Sequence, residues 1–158
     1  MPDKKTLVLD AGAVINDSSF SFSQKKNYLM PSSVFSELRD FRSKLLADNA
    51  LKNSLLKIED APAVYLKKAK DSASRVNTIL SKQDLDVLAL AIFLKEHKKS
   101  FAVITDDYSL QNVLSYNKIL FEISLHEGIK KHFVLKKKCS NCGSIIKKKY
   151  CEKCDSEN

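Results

Sequence analysis

The sequence predicts a three-layer α/β fold with a mostly parallel sheet, followed by a small C-terminal module held by metal. Short apolar runs at 6–9, 55–58, 101–105 and 119–123 alternate with longer stretches of helical period, the pattern of strand–helix–strand units. Hydrophobic residues make up 44% of 158, enough for one ordinary core. All four cysteines crowd into the last twenty residues. The predicted division is an α/β domain over 1–125, a basic linker over 126–136 and a four-cysteine ribbon over 137–158.

Thr6–Leu9 reads as a strand buried on both faces and ending at Asp10. Ala11-Gly12-Ala13 offers a tight exit into a short helix. Ser18–Ser23 reads as a polar loop carrying two phenylalanines. Pro31-Ser32-Ser33 opens a helix with Ser33 as its cap, and Val34, Leu38, Phe41 and Leu45 continue at helical spacing. A second helical stretch runs to about Asn53, and Leu55–Ile58 reads as a strand. Pro62 starts a long helix through Val64, Leu66, Ala69, Ala73, Val76 and Leu80. Ser81-Lys82-Gln83-Asp84 has the form of a capping box before an apolar run from Leu85 to Ile92. Phe101–Thr105 reads as a strand that ends at Asp106-Asp107. A short helix over Gln111–Leu114 and a last strand over Ile119–Ile123 complete the domain.

The charge is unevenly placed. Lys plus Arg number 27 against 19 Asp plus Glu, a net +8. The segment from Lys130 to Lys149 holds eight lysines and no acid, so it carries the whole excess. A neutral body with a basic end suits a polyanion, although a solvated linker would read the same way. No run approaches the ~18 apolar residues of a membrane span. Only a short apolar run, ending in Asp10, follows the N-terminal Met1–Lys5, so no secretory leader and a cytoplasmic location are expected. His97, His126 and His132 show no ligand spacing, and no phosphate-loop or nucleophile-elbow motif is present.

Cys139-x2-Cys142 and Cys151-x2-Cys154 have the spacing of a tetrahedral four-thiolate Zn²⁺ site. So short a ribbon has little core of its own, and metal binding supplies its folding free energy. Gly143 suits the turn after the first pair, whereas Asp155 follows the second.

The carboxylates carry the chemistry. In parallel sheets, functional groups gather beyond the C-terminal ends of the strands. Asp10 ends one strand, and Asp106 and Asp107 end another. Glu37 borders a buried helix face, and Asp84 lies in a first helical turn, where the helix dipole favours an anion. Asp86, two residues on, is expected to point elsewhere into solvent. Converging acids repel one another unless a cation sits between them, and an all-oxygen set suits Mg²⁺ or Mn²⁺. Such an ion can activate water and stabilise a phosphorane-like transition state.

The string Val8-Leu9-Asp10-Ala11-Gly12-Ala13, the Ser33–Leu38 helix start with Glu37, Leu80-Ser81 through Asp84 to Ala91, and Thr105-Asp106-Asp107-Tyr108 with Gln111-Asn112-Val113 resemble a PIN-domain ribonuclease. With the four-cysteine tail, the whole resembles the archaeal Nob-type ribosome-assembly endonucleases. That resemblance implies a metal-dependent cut that matures the 3′ end of small-subunit ribosomal RNA and leaves 5′-phosphate and 3′-hydroxyl ends. It implies Asp10, Glu37, Asp84 and Asp107 as the acidic quartet, with Asp106 holding a water or a second ion and Thr105 orienting its neighbours. On this reading Lys136, Lys137, Lys138, Lys147, Lys148 and Lys149 hold the RNA backbone, and Tyr150, beside the second knuckle, either stacks on a base or simply packs. The expected partners are small-subunit pre-rRNA, the pre-ribosomal small subunit and a KH-domain assembly factor, with no membrane. Two rivals stand beside this reading: a VapC-like toxin ribonuclease carrying an added ribbon, and a non-catalytic RNA-binding scaffold.

Overall fold

Five parallel strands form the centre of the computed structural model, which describes residues 4–124, the backbone at 137–138 and 145–146, and Cys154. In chain order the strands are β1 (Lys5–Leu9), β2 (Lys26–Met30), β3 (Leu56–Ile58), β4 (Phe101–Ile104) and β5 (Phe121–Glu122). Their spatial order is β3-β2-β1-β4-β5. The chain winds outward from β1 to one edge, then crosses over to β4 and β5 on the other side. The order therefore reverses between β1 and β4, and the crevice beyond that pair is where such sheets bind ligands.

The helices are α1 (Ala11–Ile15), α2 (Ser32–Glu37), α3 (Phe41–Lys52), α4 (Ala63–Arg75), α5 (Lys82–Glu96) and α6 (Tyr108–Tyr116). Leu7, Val8 and Leu9 are wholly buried, so β1 is covered on both faces, as its unbroken apolar run predicts. Helix α5 is buried along Val87–Ile92 and at Leu94. Its apolar character runs nearly all round because it packs against β1, α2, α4 and α6 together. Each fully buried leucine there contributes roughly 1.5–3 kcal/mol.

Four helices end the same way. Ser54, Asn77, Lys98 and Lys118 take positive φ just past α3, α4, α5 and α6. In each case the next N–H reaches back into the last turn, as Lys99 N–H does to Leu94 O at 3.0 Å and Ile119 N–H to Leu114 O at 2.9 Å. These are Schellman stops built without glycine.

Several expectations are corrected. Lys26–Met30 is a strand that the sequence reading did not include. Ser33 does not cap α2: Pro31 occupies that position without a side-chain bond. The stripe from Val34 to Leu45 is not one helix. Leu38 leaves helical geometry at ψ 87, and Asp40 caps a new helix by accepting from Ser43 N–H at 2.8 Å. Phe41 is consequently exposed. The long helix stops at Arg75 rather than Leu80, and the final strand shrinks to two residues. The helix predicted at Gln111–Leu114 extends over Tyr108–Tyr116.

Towards the C-terminus, β6 (Lys137–Lys138) pairs antiparallel with β7 (Ile145–Ile146). The Cys139–Cys142 pair lies in the sequence between them. The linker over 126–136, Cys139, Cys142, Cys151, Lys136, Lys147–Lys149 and Tyr150 lie outside the described residues. No helix among the described residues is long and apolar enough to cross a membrane.

Candidate active site

Residue Asp10 leaves β1 at the point where the sheet order reverses. Its backbone N–H donates to Ile104 O at 3.1 Å, so the end of β1 is stitched to the end of β4. The side chain is 8% exposed. Oδ1 accepts from Ala11 N–H at 2.6 Å, and Oδ2 accepts from the buried Thr105 hydroxyl at 2.9 Å. Both oxygens are thus held in one orientation, and each keeps a lone pair.

Residue Thr105 links the acids. Besides bonding Asp10, its hydroxyl accepts from Asp107 N–H at 3.1 Å, and its carbonyl accepts from the buried Gln111 amide at 3.1 Å. Asp107 is the N-cap of α6, with Oδ1 taking Ser109 N–H at 2.6 Å and Leu110 N–H at 3.1 Å. Asp84 takes part in the predicted capping box. Its Oδ2 accepts from Ser81 N–H at 3.1 Å and from the Ser81 hydroxyl at 2.6 Å. These bonds leave Asp107 Oδ2 and Asp84 Oδ1 without a hydrogen-bond partner among the described residues.

The carboxyl of Asp10 is pushed from its ordinary 3.8 up to about 6. Burial is the main cause. The Thr105 hydroxyl works against it, the negative charge of Asp84 adds to it, the Ala11 N–H opposes it, and the charge of Asp107 adds again. Asp84 and Asp107, from two separate helix N-termini, therefore both act electrostatically on Asp10.

The remaining acids stand apart. Glu37 is exposed at the end of α2, and no hydrogen bond or ion pair among the described residues joins it to the other three. Asp106 turns towards β5, where Oδ1 accepts from Ser124 N–H at 2.8 Å, and Ser124 in turn bonds Ala13 O. Asp86 is not solvated as the sequence reading expected. It is half-buried and accepts from the Ser33 hydroxyl at 2.6 Å, which ties the helix bearing Glu37 to the helix bearing Asp84. Gln111 and the Ser33–Asp86 tie were missed. For Gln111, a signal existed in its place one helical turn after Asp107.

The donor set is chemically suited to a hard divalent cation, being all oxygen and electrostatically frustrated without one. As they stand, no three His, Cys, Asp or Glu side chains among the described residues are close enough to hold an ion. Of the four cysteines, Cys154 is described, and it is half-buried.

A family profile for the PIN domain of ribonuclease matches residues 7–94, which include Asp10, Glu37 and Asp84. The chain is similar to endoribonuclease Nob1 of Methanothermobacter thermautotrophicus, 36% identical over 94% of this chain and 88% of that protein. It is also similar to endoribonuclease Nob1 of Archaeoglobus fulgidus, at 34% identity over 89% and 86%. Ribonuclease VapC1 of Thermoplasma acidophilum is 28% identical over 95% of this chain and 75% of that protein.

Proposed function

We propose, from the premise that this chain belongs to the PIN-domain ribonucleases and among them to the Nob1 endoribonucleases, that its substrate is small-subunit pre-ribosomal RNA in a cytoplasmic pre-ribosomal particle. The cut matures the 3′ end and leaves a 5′-phosphate and a 3′-hydroxyl. The observation that carries the reading is the buried Asp10 carboxyl, fixed by Thr105 and repelled by Asp84 and Asp107 at the reversal point of the sheet. Asp10 caps α1, but a cap does not need to be buried beside two further carboxylates, an arrangement that is costly without a cation.

Asp10, Asp84 and Asp107 would hold Mg²⁺ or Mn²⁺, with Glu37 supplied from α2 and Asp106 keeping its second oxygen for a water or a second ion. When bound, such an ion supplies Lewis acidity to the phosphodiester and lowers the pKa of water. The chain's own groups set the stage. Ala11 N–H and Thr105 fix both Asp10 oxygens, so no side-chain ordering remains to be done on binding. Without metal Asp10 gives up its proton near pH 6, so a cation that binds at lower pH must displace that proton. Ser33 and Asp86 hold α2 against α5 and limit where Glu37 can travel.

Cys139, Cys142, Cys151 and Cys154 would hold one structural Zn²⁺. The antiparallel β6–β7 pairing on either side of the first cysteine pair supports this. Lys136–Lys138 and Lys147–Lys149 would then grip phosphates without reading sequence. The four-cysteine tail favours this over a VapC-type toxin, the reading that the similarity to VapC1 keeps in play. A metal-titrated cleavage assay on RNA spanning the end of the small-subunit transcript, mapped at nucleotide resolution, tests the proposal. A single metal-dependent cut, abolished by Asp10→Asn with RNA binding retained, is expected. Equal cutting by Asp10→Asn would refute it.

A further inference from the structure

We infer that Tyr108, with Ile79 beside it, forms a stacking ledge for a nucleobase of the single-stranded RNA substrate, next to the carboxylates. The occupant is RNA because the chain is read as the ribonuclease proposed above, and the ledge rests on that reading. Tyr108 is 81% exposed and Ile79 95% exposed. Two other tyrosines are fully employed. Tyr28 is buried, its hydroxyl accepts from Ser23 N–H, and its ring meets Phe20 and Phe22 edge-on. Tyr65 packs on Phe93 and lies under the Lys68 ammonium. The ring of Tyr108 has no ring or cation partner among the described residues, and its hydroxyl has no hydrogen bond there.

Both side chains stand on backbone that the site itself clamps. Tyr108 opens α6 directly after Asp107, whose carboxylate ties down the next two N–H groups. Asn112, one turn further along the same face, donates to Thr78 Oγ1 at 3.1 Å. Thr78 precedes Ile79 and is pinned by its N–H to Ala73 O at 3.0 Å. Two residues after Ile79, Ser81 caps the helix that carries Asp84. The Asn112–Thr78 bond thus brings together two segments. One bears Tyr108 beside Asp107, and the other bears Ile79 beside the Asp84 cap.

The chemistry selects the occupant. A phosphodiester drawn to a cation among these acids brings its neighbouring base to the rim. That base carries an apolar face and no charge, so it is attracted by an aromatic ring where a second phosphate would be repelled by the acids. Single-stranded RNA is gripped by such stacking, which tolerates any base. A ledge of this kind positions the strand without strong sequence preference.

The chain contains no tryptophan, so Tyr108→Trp places a single tryptophan, excited apart from the tyrosines, at the ledge. Its emission is expected to fall when a short single-stranded RNA is mixed with the zinc-loaded protein in Mg²⁺ or Mn²⁺, read before cleavage. It should change far less with the same RNA made abasic beside the cleavage site. In cleavage assays, Tyr108→Ala should raise KM by roughly 5–150-fold with kcat little changed, and Tyr108→Phe should restore most of the loss. Ile79→Ser should act in the same direction as Tyr108→Ala but less. Unchanged KM in Tyr108→Ala while the wild-type enzyme cuts would overturn the ledge and leave the ribonuclease reading standing. Equal fluorescence with intact and abasic RNA would overturn it by a route independent of cleavage. A wild-type protein that binds RNA through the ledge but never cuts it would instead remove the ribonuclease reading.

Discussion

Replacing Asp10 with Asn is expected to abolish cleavage and also to make the metal-free protein more stable at neutral pH. The carboxyl titrates near 6 in the fold against 3.8 ordinarily. Ionised Asp10 therefore costs about 2.2 × 1.36, or ~3 kcal/mol. The sign follows from the direction of the shift. Below pH 3.8 the group is protonated in both folded and unfolded chains, and nothing is lost. Between pH 3.8 and 6 the unfolded chain ionises while the folded chain stays protonated, so that stability drains across this window and is gone above 6. Asparagine is neutral and nearly the same shape, and it still accepts from Ala11 N–H. It disturbs the Thr105 hydroxyl, which already accepts from Asp107 N–H, at a cost of about 1 kcal/mol. The net gain is about 1–2 kcal/mol at pH 7.5, a rise in Tm of roughly 3–8 °C for a domain of this size.

Thermal unfolding of both proteins in EDTA from pH 4 to pH 8 measures this directly. The gap should grow between pH 4 and pH 6, level off above 6, close or reverse by pH 4, and narrow when Mg²⁺ or Mn²⁺ is added to the wild type. An Asn variant that is less stable at pH 7.5 without metal, or a gap that ignores pH, would show that Asp10 is not a frustrated buried anion.

Thr105→Val keeps the shape but removes the hydroxyl that joins Asp10 to Asp107. It should cost about 1–3 kcal/mol in denaturant unfolding, and the acid limb of the cleavage pH profile should move to higher pH as Asp10 loses a stabilising donor. Lys98→Gly and Lys118→Gly should each stabilise by about 0.5–1 kcal/mol, since both lysines take positive φ that glycine adopts freely; equal midpoints would argue against strain there. Replacing Lys147–Lys149 with Gln should weaken RNA binding and reduce the slope of log K against log salt by about 2, at ~0.7 per charge on a single strand. An unchanged slope would place the RNA grip elsewhere.

Much of the fold was legible because its signals are local. The unbroken apolar run of β1 and the Ser81–Asp84 box each need only a few residues to declare themselves. Strand β2 was not legible, because Lys26 and Asn27 favour loops and only tertiary pairing with β1 and β3 makes them strand. The Val34–Leu45 stripe misled because period alone cannot see Asp40 recapping the chain. In the site, Asp10 and Asp84 followed from strand-end and helix-start rules. The partners of Asp106 and Asp107 did not, since adjacent identical residues differ only in what lies across from them, Ser124 for one and the α6 backbone for the other. Asp86 was misjudged for the same reason: its partner, Ser33, lies 53 positions away.

Titration of the zinc-loaded protein with Mn²⁺, followed by the loss of the free-ion electron paramagnetic resonance signal, bears most directly on the shared cation. Wild-type protein should bind Mn²⁺ with proton release near pH 6, and Asp10→Asn, Asp84→Asn and Asp107→Asn should each lose that binding. Undiminished Mn²⁺ affinity in both Asp10→Asn and Asp84→Asn would contradict it.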